Sequence, residues 1–183
     1  MICLLACGAA TIGSRWWLLA AAAQRRLSAA SAYIPIALTA ILGSGLSALL
    51  GATLHAQVRG PGMLLLLAIA LLFAGLALAW PARPISAKLS ASVKGPLSAL
   101  ILLSAAMLSD SAPFIIMATV ARTGNMTYAG VGGAIGLIAA AVGTAMIDPT
   151  EPLPAWLNWL RRAIAVILCF VAVIAAASAR GLL

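Results

Sequence analysis

The chain has 183 residues, of which 64% are apolar, while 11 are Lys or Arg and 3 are Asp or Glu. Its charged fraction of 8% and its mean hydropathy of +1.16 contrast with the roughly 25% charged residues of ordinary globular domains. This composition excludes a soluble enzyme, a disordered tail and a nucleic-acid-binding protein whose net charge of +8 forms a basic patch. It predicts an integral membrane protein, and the unbroken apolar stretches favour helices over a transmembrane barrel.

Six stretches approach or exceed the roughly 20 apolar residues that a membrane-spanning helix needs. In chain order they are residues 1–23, 32–54, 63–80, 97–121, 126–147 and 163–179. The last is short, although the apolar residues between Trp156 and Leu160 can continue it into the headgroup layer. The sequence therefore predicts an all-α integral membrane protein of six transmembrane helices, with little chain left for a soluble domain.

The longest connection, residues 81–96, divides the chain into two halves of three helices each, residues 1–80 and 97–183. Seven Lys or Arg residues fall in this segment, after the first helix and before the sixth, whereas three fall at the opposite ends of the helices. The positive-inside rule then places residues 81–96 in the cytoplasm and both termini outside. We expect a multi-pass protein of a bacterial inner membrane, with lipid as its surroundings and self-association left open.

Two ionisable residues lie near the middle of predicted spans: Arg15 in the first and Asp110 in the fourth. Either residue costs about 2.5–3.5 kcal/mol at the centre of a transmembrane helix. Such residues usually face a cavity, a partner or the protein interior, so they indicate a functional site by default. The alternative is an Arg15–Asp110 ion pair that only holds the two halves together.

The neighbours of Asp110 favour a binding site for a hard cation. Ser109 and Ser111 flank it, and Pro113 cannot donate a hydrogen bond to the carbonyl of Ser109. A kinked helix would thus offer a carboxylate, two hydroxyls and a released carbonyl oxygen, which are ligands that hard cations prefer. The other interpretation is that Pro113 only bends the helix and the serines bond to their own backbone.

A similar group of residues lies at the same depth in the first helix. Thr11 and Ser14 supply hydroxyls, and Gly13 allows a close approach or a kink beside Arg15. A shift of 96 residues aligns Ser14 with Asp110. Because each half has three spans, such a repeat would be inverted in the membrane, which is an architecture of secondary transporters.

Gly132 and Gly136 have the small-xxx-small spacing that lets two helices pack closely. The three cysteines fall within predicted spans, where a free Cys behaves as a small apolar residue. We find no motif for a cofactor, and we find no nucleophile elbow, metal triad or paired carboxylates that would indicate an enzyme.

The layout resembles the Gdt-type family of bacterial and Golgi membrane proteins, which exchange manganese or calcium for protons. That family has two inverted three-helix repeats, each with the motif E-x-G-D-[KR]-[ST] in its first helix. Residues 11–16 match this motif only at Gly13 and Arg15, and residues 107–112 match it only at Asp110. The resemblance implies an antiporter of Mn²⁺ or Ca²⁺ against H⁺, with Asp110 as the metal ligand.

The loss of acidic residues leaves three functions open. Two intact motifs would supply a net charge of −2, whereas Arg15 and Asp110 together are neutral, and a divalent cation without compensating charge is strongly disfavoured in a low-dielectric site. One function is a cation transporter with altered selectivity that depends on Asp110. The second is a non-transporting subunit or scaffold in which Arg15 neutralises Asp110. The third is an exporter of a small solute, for which a neutral, hydroxyl-lined pocket suits a zwitterion.

Overall fold

The computed structural model describes residues 2–57, 60–80, 82 and 84–180, and these form helices without any β-strand. A 3-10 helix, Gly143–Met146, follows the eighth of the nine α-helices of these residues. The α-helices are α1 (Ile2–Thr11), α2 (Arg15–Arg26), α3 (Ala29–Gln57), α4 (Pro61–Ala79), α5 (Ala87–Ala91), α6 (Pro96–Leu108), α7 (Ala112–Thr123), α8 (Met126–Val142) and α9 (Ala155–Ala179).

Several of these helices are long and apolar enough to cross a membrane, so the chain is a multi-pass membrane protein. Four helices meet this criterion singly, and the number rises to six if each of two bent pairs counts as one span. The bent pairs are α1 with α2, at an angle of 73°, and α6 with α7, at 56°. The first and fourth predicted spans are therefore broken helices, not continuous ones.

Two further boundaries differ from the prediction. Helix α9 begins at Ala155, and the predicted sixth span began at residue 163. Residues 81–96, predicted as a loop, contain the short helix α5. The predictions that concern Met1, Arg59, Pro81 and Arg83 lie outside the described residues.

The helices pack as a central group with a helix pair at its side. Helix α3 contacts α6, α7 and α8, while α1 contacts α7 and α8, and α2 contacts α6. Helix α4 packs along α9 and also contacts α7. Since α9 otherwise has only a small contact with α1, α4 and α9 form a pair that adjoins the central group.

Polar contacts join three segments at one end of the bundle. The Arg25 guanidinium forms an ion pair with Asp148 at 2.6 Å, and Arg26 Nε donates to Ser90 Oγ at 3.2 Å. Hydrogen bonds from Thr150, together with the charge of Arg25, lower the pKa of Asp148. The ion pair therefore persists above that lowered pKa and is lost as the pH falls through it. The end of α2, residues 84–95 and the connection before α9 thus lie together.

The two glycines of the predicted packing motif differ in their surroundings. A Cβ at Gly136 would overlap the carbonyl oxygen of Leu4 in α1, whereas a Cβ at Gly132 would lie 3.6 Å from the Leu4 nitrogen, an ordinary contact. We expect Gly136→Ala to lower the free energy of unfolding by about 1–3 kcal/mol through overpacking. The matched variant Gly132→Ala should change it by no more than about 0.5 kcal/mol. Thermal unfolding in detergent measures both, and equal melting temperatures would contradict this account.

Candidate functional site

The two helix breaks meet through a hydrogen bond between Ser14 and Asp110. Ser14 Oγ donates to Asp110 Oδ2 at 2.7 Å. The same Ser14 oxygen accepts the backbone N–H of Trp17 at 3.3 Å and so caps the first turn of α2. The hydroxyl thus begins one helix and holds the carboxylate of the other break.

Gly13 makes the first break sterically feasible. Its φ of +74° lies in the left-handed region, which residues with a Cβ rarely adopt. A Cβ at this position would also lie 3.0 Å from the guanidinium of Arg161. Gly13 therefore lies in a bend of the chain and is also closely approached by another side chain.

Asp110 organises the second break. Its Oδ1 accepts the Ser111 backbone N–H at 2.7 Å, and Ser111 Oγ lies 3.4 Å from the same oxygen. Ser109 Oγ instead donates to the Ala106 carbonyl of its own helix at 2.9 Å. Pro113 lies in the first turn of α7, where its missing N–H removes no helical hydrogen bond. The predicted bend is present directly before Pro113, as a break of 56° at residues 109–111 between two helices instead of a kink within one continuous helix.

A partly open cavity of about 450 Å³ lies beside this pair of breaks, and we call it the polar cavity. It includes residues of both breaks, of α4 and of α9. Its polar side chains are those of Ser14, Arg15, Ser109, Asp110, Ser111 and Arg161. Five of these six were predicted as site residues, and the structure brings them to one cavity.

Arg161 is the functional candidate that the sequence analysis missed. It is the seventh residue of α9, and only 4% of it is exposed. Its Nη2 donates to the carbonyl oxygen of Trp80 at 3.2 Å, while its buried Nε has no hydrogen-bond partner among the described residues. The count of basic residues places Arg161 before the predicted sixth span. The apolar residues from Trp156 to Leu160 were the signal that the helix starts earlier and carries Arg161 inwards.

The predicted ion pair between Arg15 and Asp110 does not form. Arg15 is exposed at the first position of α2, although it lines the polar cavity. Within the described ranges, the ion pair with a nitrogen–oxygen distance below 4 Å is Arg25–Asp148. The ion pair is expected from the sequence because Arg15 and Asp110 lie at the same depth along continuous helices. Since α2 starts after the break and has a different direction, this depth does not bring the Arg15 side chain to Asp110.

Thr11 does not belong to the cavity, contrary to the prediction. It is fully buried, and its hydroxyl donates to the Cys7 carbonyl at 2.6 Å, inside α1. That bond leaves the hydroxyl directed at its own helix, as is common for Thr in apolar surroundings.

A second cavity, of about 540 Å³, adjoins the same break, and we call it the apolar cavity. Ser109, Asp110, Ser111 and Ala77 line both cavities. The other residues of the apolar cavity come from α4 and α7 and are Leu66, Ile69, Ala70, Phe73, Phe114 and Met117. Asp110 therefore lies where a polar compartment meets an apolar one.

The donor set around Asp110 differs from that of common metal sites. The part of the chain that the structure describes has no group of three or more His, Cys, Asp or Glu residues that could hold a metal ion. Among the described residues that line the polar cavity, Asp110 is the single acidic side chain, beside the guanidinium groups of Arg15 and Arg161. Comparison with known proteins gives no match to a family model, to a curated protein or to a solved structure.

Proposed function

We propose that this protein is a solute transporter whose path runs through the polar cavity, past Asp110 and into the apolar cavity. The observation that carries this proposal is that residues 109–111 line both cavities. Secondary transporters typically form their substrate sites from helices that are broken near the middle of the membrane.

The course of α4 supports a path between the two ends of the bundle. This helix runs from Pro61 to Ala79. Leu66 to Ala77 contribute to the apolar cavity, and Ala77 and Leu78 contribute to the polar cavity. The two cavities therefore follow one another along α4 and are separated at the level of Asp110. Access that alternates between them would move a solute across the membrane.

The contacts also support the proposal that six spans form two inverted repeats. Ser14 and Asp110, which are 96 residues apart and align in the repeat, bond to each other as residues near a two-fold axis do. Helix α1 contacts α7 and α2 contacts α6, so each half of one broken helix meets the opposite half of the other. The corresponding helices α3 and α8 also pack together, as do α4 and α9.

The packing favours the α4–α9 pair as the moving part. Rocking of one three-helix half against the other would disrupt the contacts of α3 with α6, α7 and α8. Movement of α4 and α9 together preserves these contacts and those between α4 and α9, and it changes the contact of α4 with α7 and the small contacts of the pair with α1. Both cavities lie between this pair and the central group, so its displacement would open or close them.

The charges in the cavity disfavour transport of the divalent cation that the family resemblance implies. Among the described residues that line the polar cavity, Arg15 and Arg161 outnumber Asp110, so the formal charge of these three groups is +1. A dication near two guanidinium groups in a low-dielectric site would be repelled. Manganese or calcium exchange with protons at Asp110 is the alternative, and it requires that both arginines move away.

We further propose that the protein lies in a bacterial inner membrane with both termini outside. The basic residues Arg25, Arg26, Lys88 and Lys94 support this orientation, because α2 ends beside residues 84–95. The polar cavity, which includes Trp80 and Ala82, would then open towards the cytoplasm.

Labelling of a single cysteine tests the transport proposal without knowledge of the substrate. Cys3, Cys7 and Cys169 are replaced by Ala, and Ser109→Cys is introduced, since Ser109 lines both cavities. We expect a membrane-impermeant maleimide to label this thiol in right-side-out and in inside-out vesicles. Alternating access requires reaction from both sides.

The control variant is Glu151→Cys, in the exposed connection between α8 and α9. It should react from one side only, which establishes that the vesicles are sealed and oriented. Labelling of Ser109→Cys from one side alone would contradict transport and favour a non-transporting subunit.

A further inference from the structure

We propose that the transported solute is an organic monoanion with an apolar body, whose oxyanion group binds Arg161 and Arg15 while its body occupies the apolar cavity. This inference rests on the proposed transport function and specifies its substrate class. Its chemistry follows from three features of the site: a buried guanidinium, a carboxylate that is already hydrogen-bonded, and the adjoining apolar surface.

The guanidinium of Arg161 is suited to bind an anion. Only 4% of this residue is exposed, and it lines the polar cavity. The Trp80 carbonyl accepts from Nη2, but Nε is without a partner within the described ranges. A planar guanidinium with free N–H groups matches the two oxygens of a carboxylate. A buried charge without a partner is unfavourable, so an anionic ligand would stabilise this arrangement.

Asp110 does not supply the missing partner. Its two oxygens accept hydrogen bonds from the Ser14 hydroxyl and from the Ser111 backbone N–H, and no ion pair joins it to Arg15 or Arg161. The positive charges of Arg15 and Arg161 are therefore not compensated by Asp110. The N-termini of α2 and α7 both lie at the breaks, and helix N-termini favour negative charge. A ligand with a charge of −1 neutralises the combined charge of Arg15, Asp110 and Arg161, which neither a zwitterion nor a cation does.

The apolar cavity determines the rest of the ligand. It begins at the same Ser109 to Ser111 segment and is lined by Phe73, Phe114 and other apolar side chains. Both cavities have volumes within the range of about 300–1,000 Å³ that small-molecule sites occupy. A small hydrophilic anion would leave this second compartment unused, whereas an apolar body attached to the anionic group fills it.

Equilibrium binding to the full-length protein in nanodiscs tests this assignment, with empty nanodiscs as the blank. The labelled probe is 3-phenylpropionate, a monoanion with an aromatic body. Three competitors separate the contributions: acetate has the charge without the body, 3-phenylpropylamine has the body with the opposite charge, and Mn²⁺ is the cation of the alternative function. We expect saturable binding of 3-phenylpropionate, weak competition by acetate and none by the amine or by Mn²⁺.

Two pairs of variants assign the binding to the two cavities. Arg161→Gln should weaken binding at least tenfold, and the adjacent, exposed Arg162→Gln should leave it unchanged. Arg161→Lys should retain part of the affinity, since it keeps the charge but loses the planar fork. Phe73→Ala should weaken binding about threefold to tenfold, whereas Phe170→Ala should not, although both rings are 66% exposed and only Phe73 lines the apolar cavity.

The outcomes separate this inference from the transport proposal. Absence of saturable binding, competition by the amine or by Mn²⁺ as strong as that by unlabelled probe, or equal affinities of Arg161→Gln and Arg162→Gln would overturn the substrate class. If Ser109→Cys still reacts from both sides, transport stands with a different solute. If the probe binds as expected and Ser109→Cys reacts from one side only, the site is real and transport is wrong. Phe73→Ala concerns an exposed side chain and remains informative even if Arg161→Gln does not fold.

Discussion

Asp110→Ala is expected to lower the free energy of unfolding by about 1–3 kcal/mol, the usual cost of leaving buried hydrogen-bonding groups without a partner. The carboxylate accepts from Ser14 and from the Ser111 N–H. Its removal leaves both donors unsatisfied and separates the two helix breaks. Thermal or denaturant unfolding in detergent measures the effect. Ser109→Ala is the control, since that hydroxyl bonds only to its own helix, and it should change stability by no more than about 0.5 kcal/mol.

A double-mutant cycle identifies the partner of Asp110. Ser14→Ala and Asp110→Ala should be coupled by about 1.5–3 kcal/mol, as expected for a hydrogen bond to a charged group. Arg15→Ala with Asp110→Ala should be additive, because these side chains do not form an ion pair. If Arg15→Ala instead restores the stability lost in Asp110→Ala, the scaffold hypothesis with its buried ion pair would be correct.

Gly13→Ala is expected to destabilise the protein by about 1–3 kcal/mol, the cost of a left-handed conformation at a residue other than glycine. Two effects act together at this position. The φ of +74° disfavours any Cβ, and the Cβ would approach the Arg161 guanidinium to 3.0 Å. The substitution should therefore also weaken the binding of 3-phenylpropionate, because it displaces the proposed anion-binding group.

Gly45→Ala is the matched control for Gly13→Ala. Gly45 lies within α3, and a Cβ there would meet no atom within 4 Å. We expect unchanged or slightly increased stability, because Ala has the higher helix propensity. If both variants unfold at the same temperature, the strain assigned to the first break is absent.

The apolar segments and the approximate site could be predicted from the sequence for physical reasons. Spans depend on runs of apolar residues, and the structure retains helices at all six predicted stretches. A carboxylate amid apolar residues must find partners, so Asp110 indicated the site. Ser14, which the sequence placed at the same depth as Asp110, donates a hydrogen bond to it.

The breaks in the helices explain what the sequence did not reveal. Depth along a continuous span suggested that Arg15 meets Asp110, but a bend of 73° gives α2 its own direction. Arg161 was assigned to a loop because two adjacent arginines resemble the end of a span. Its burial depends on the carbonyl of Trp80 and on Gly13, which are contacts between residues distant in the chain and have no local signature.

The pairing of α4 with α9 has a consequence for biosynthesis. Helix α4 begins at residue 61, and its main partner begins at residue 155. At about 5–20 residues per second, the ribosome takes roughly 5–20 s to synthesise the intervening chain. During this interval the bilayer, or an insertion factor, must cover the surface that α9 later occupies. Translational pausing before residue 155 would therefore prolong the time during which this surface of α4 lacks α9.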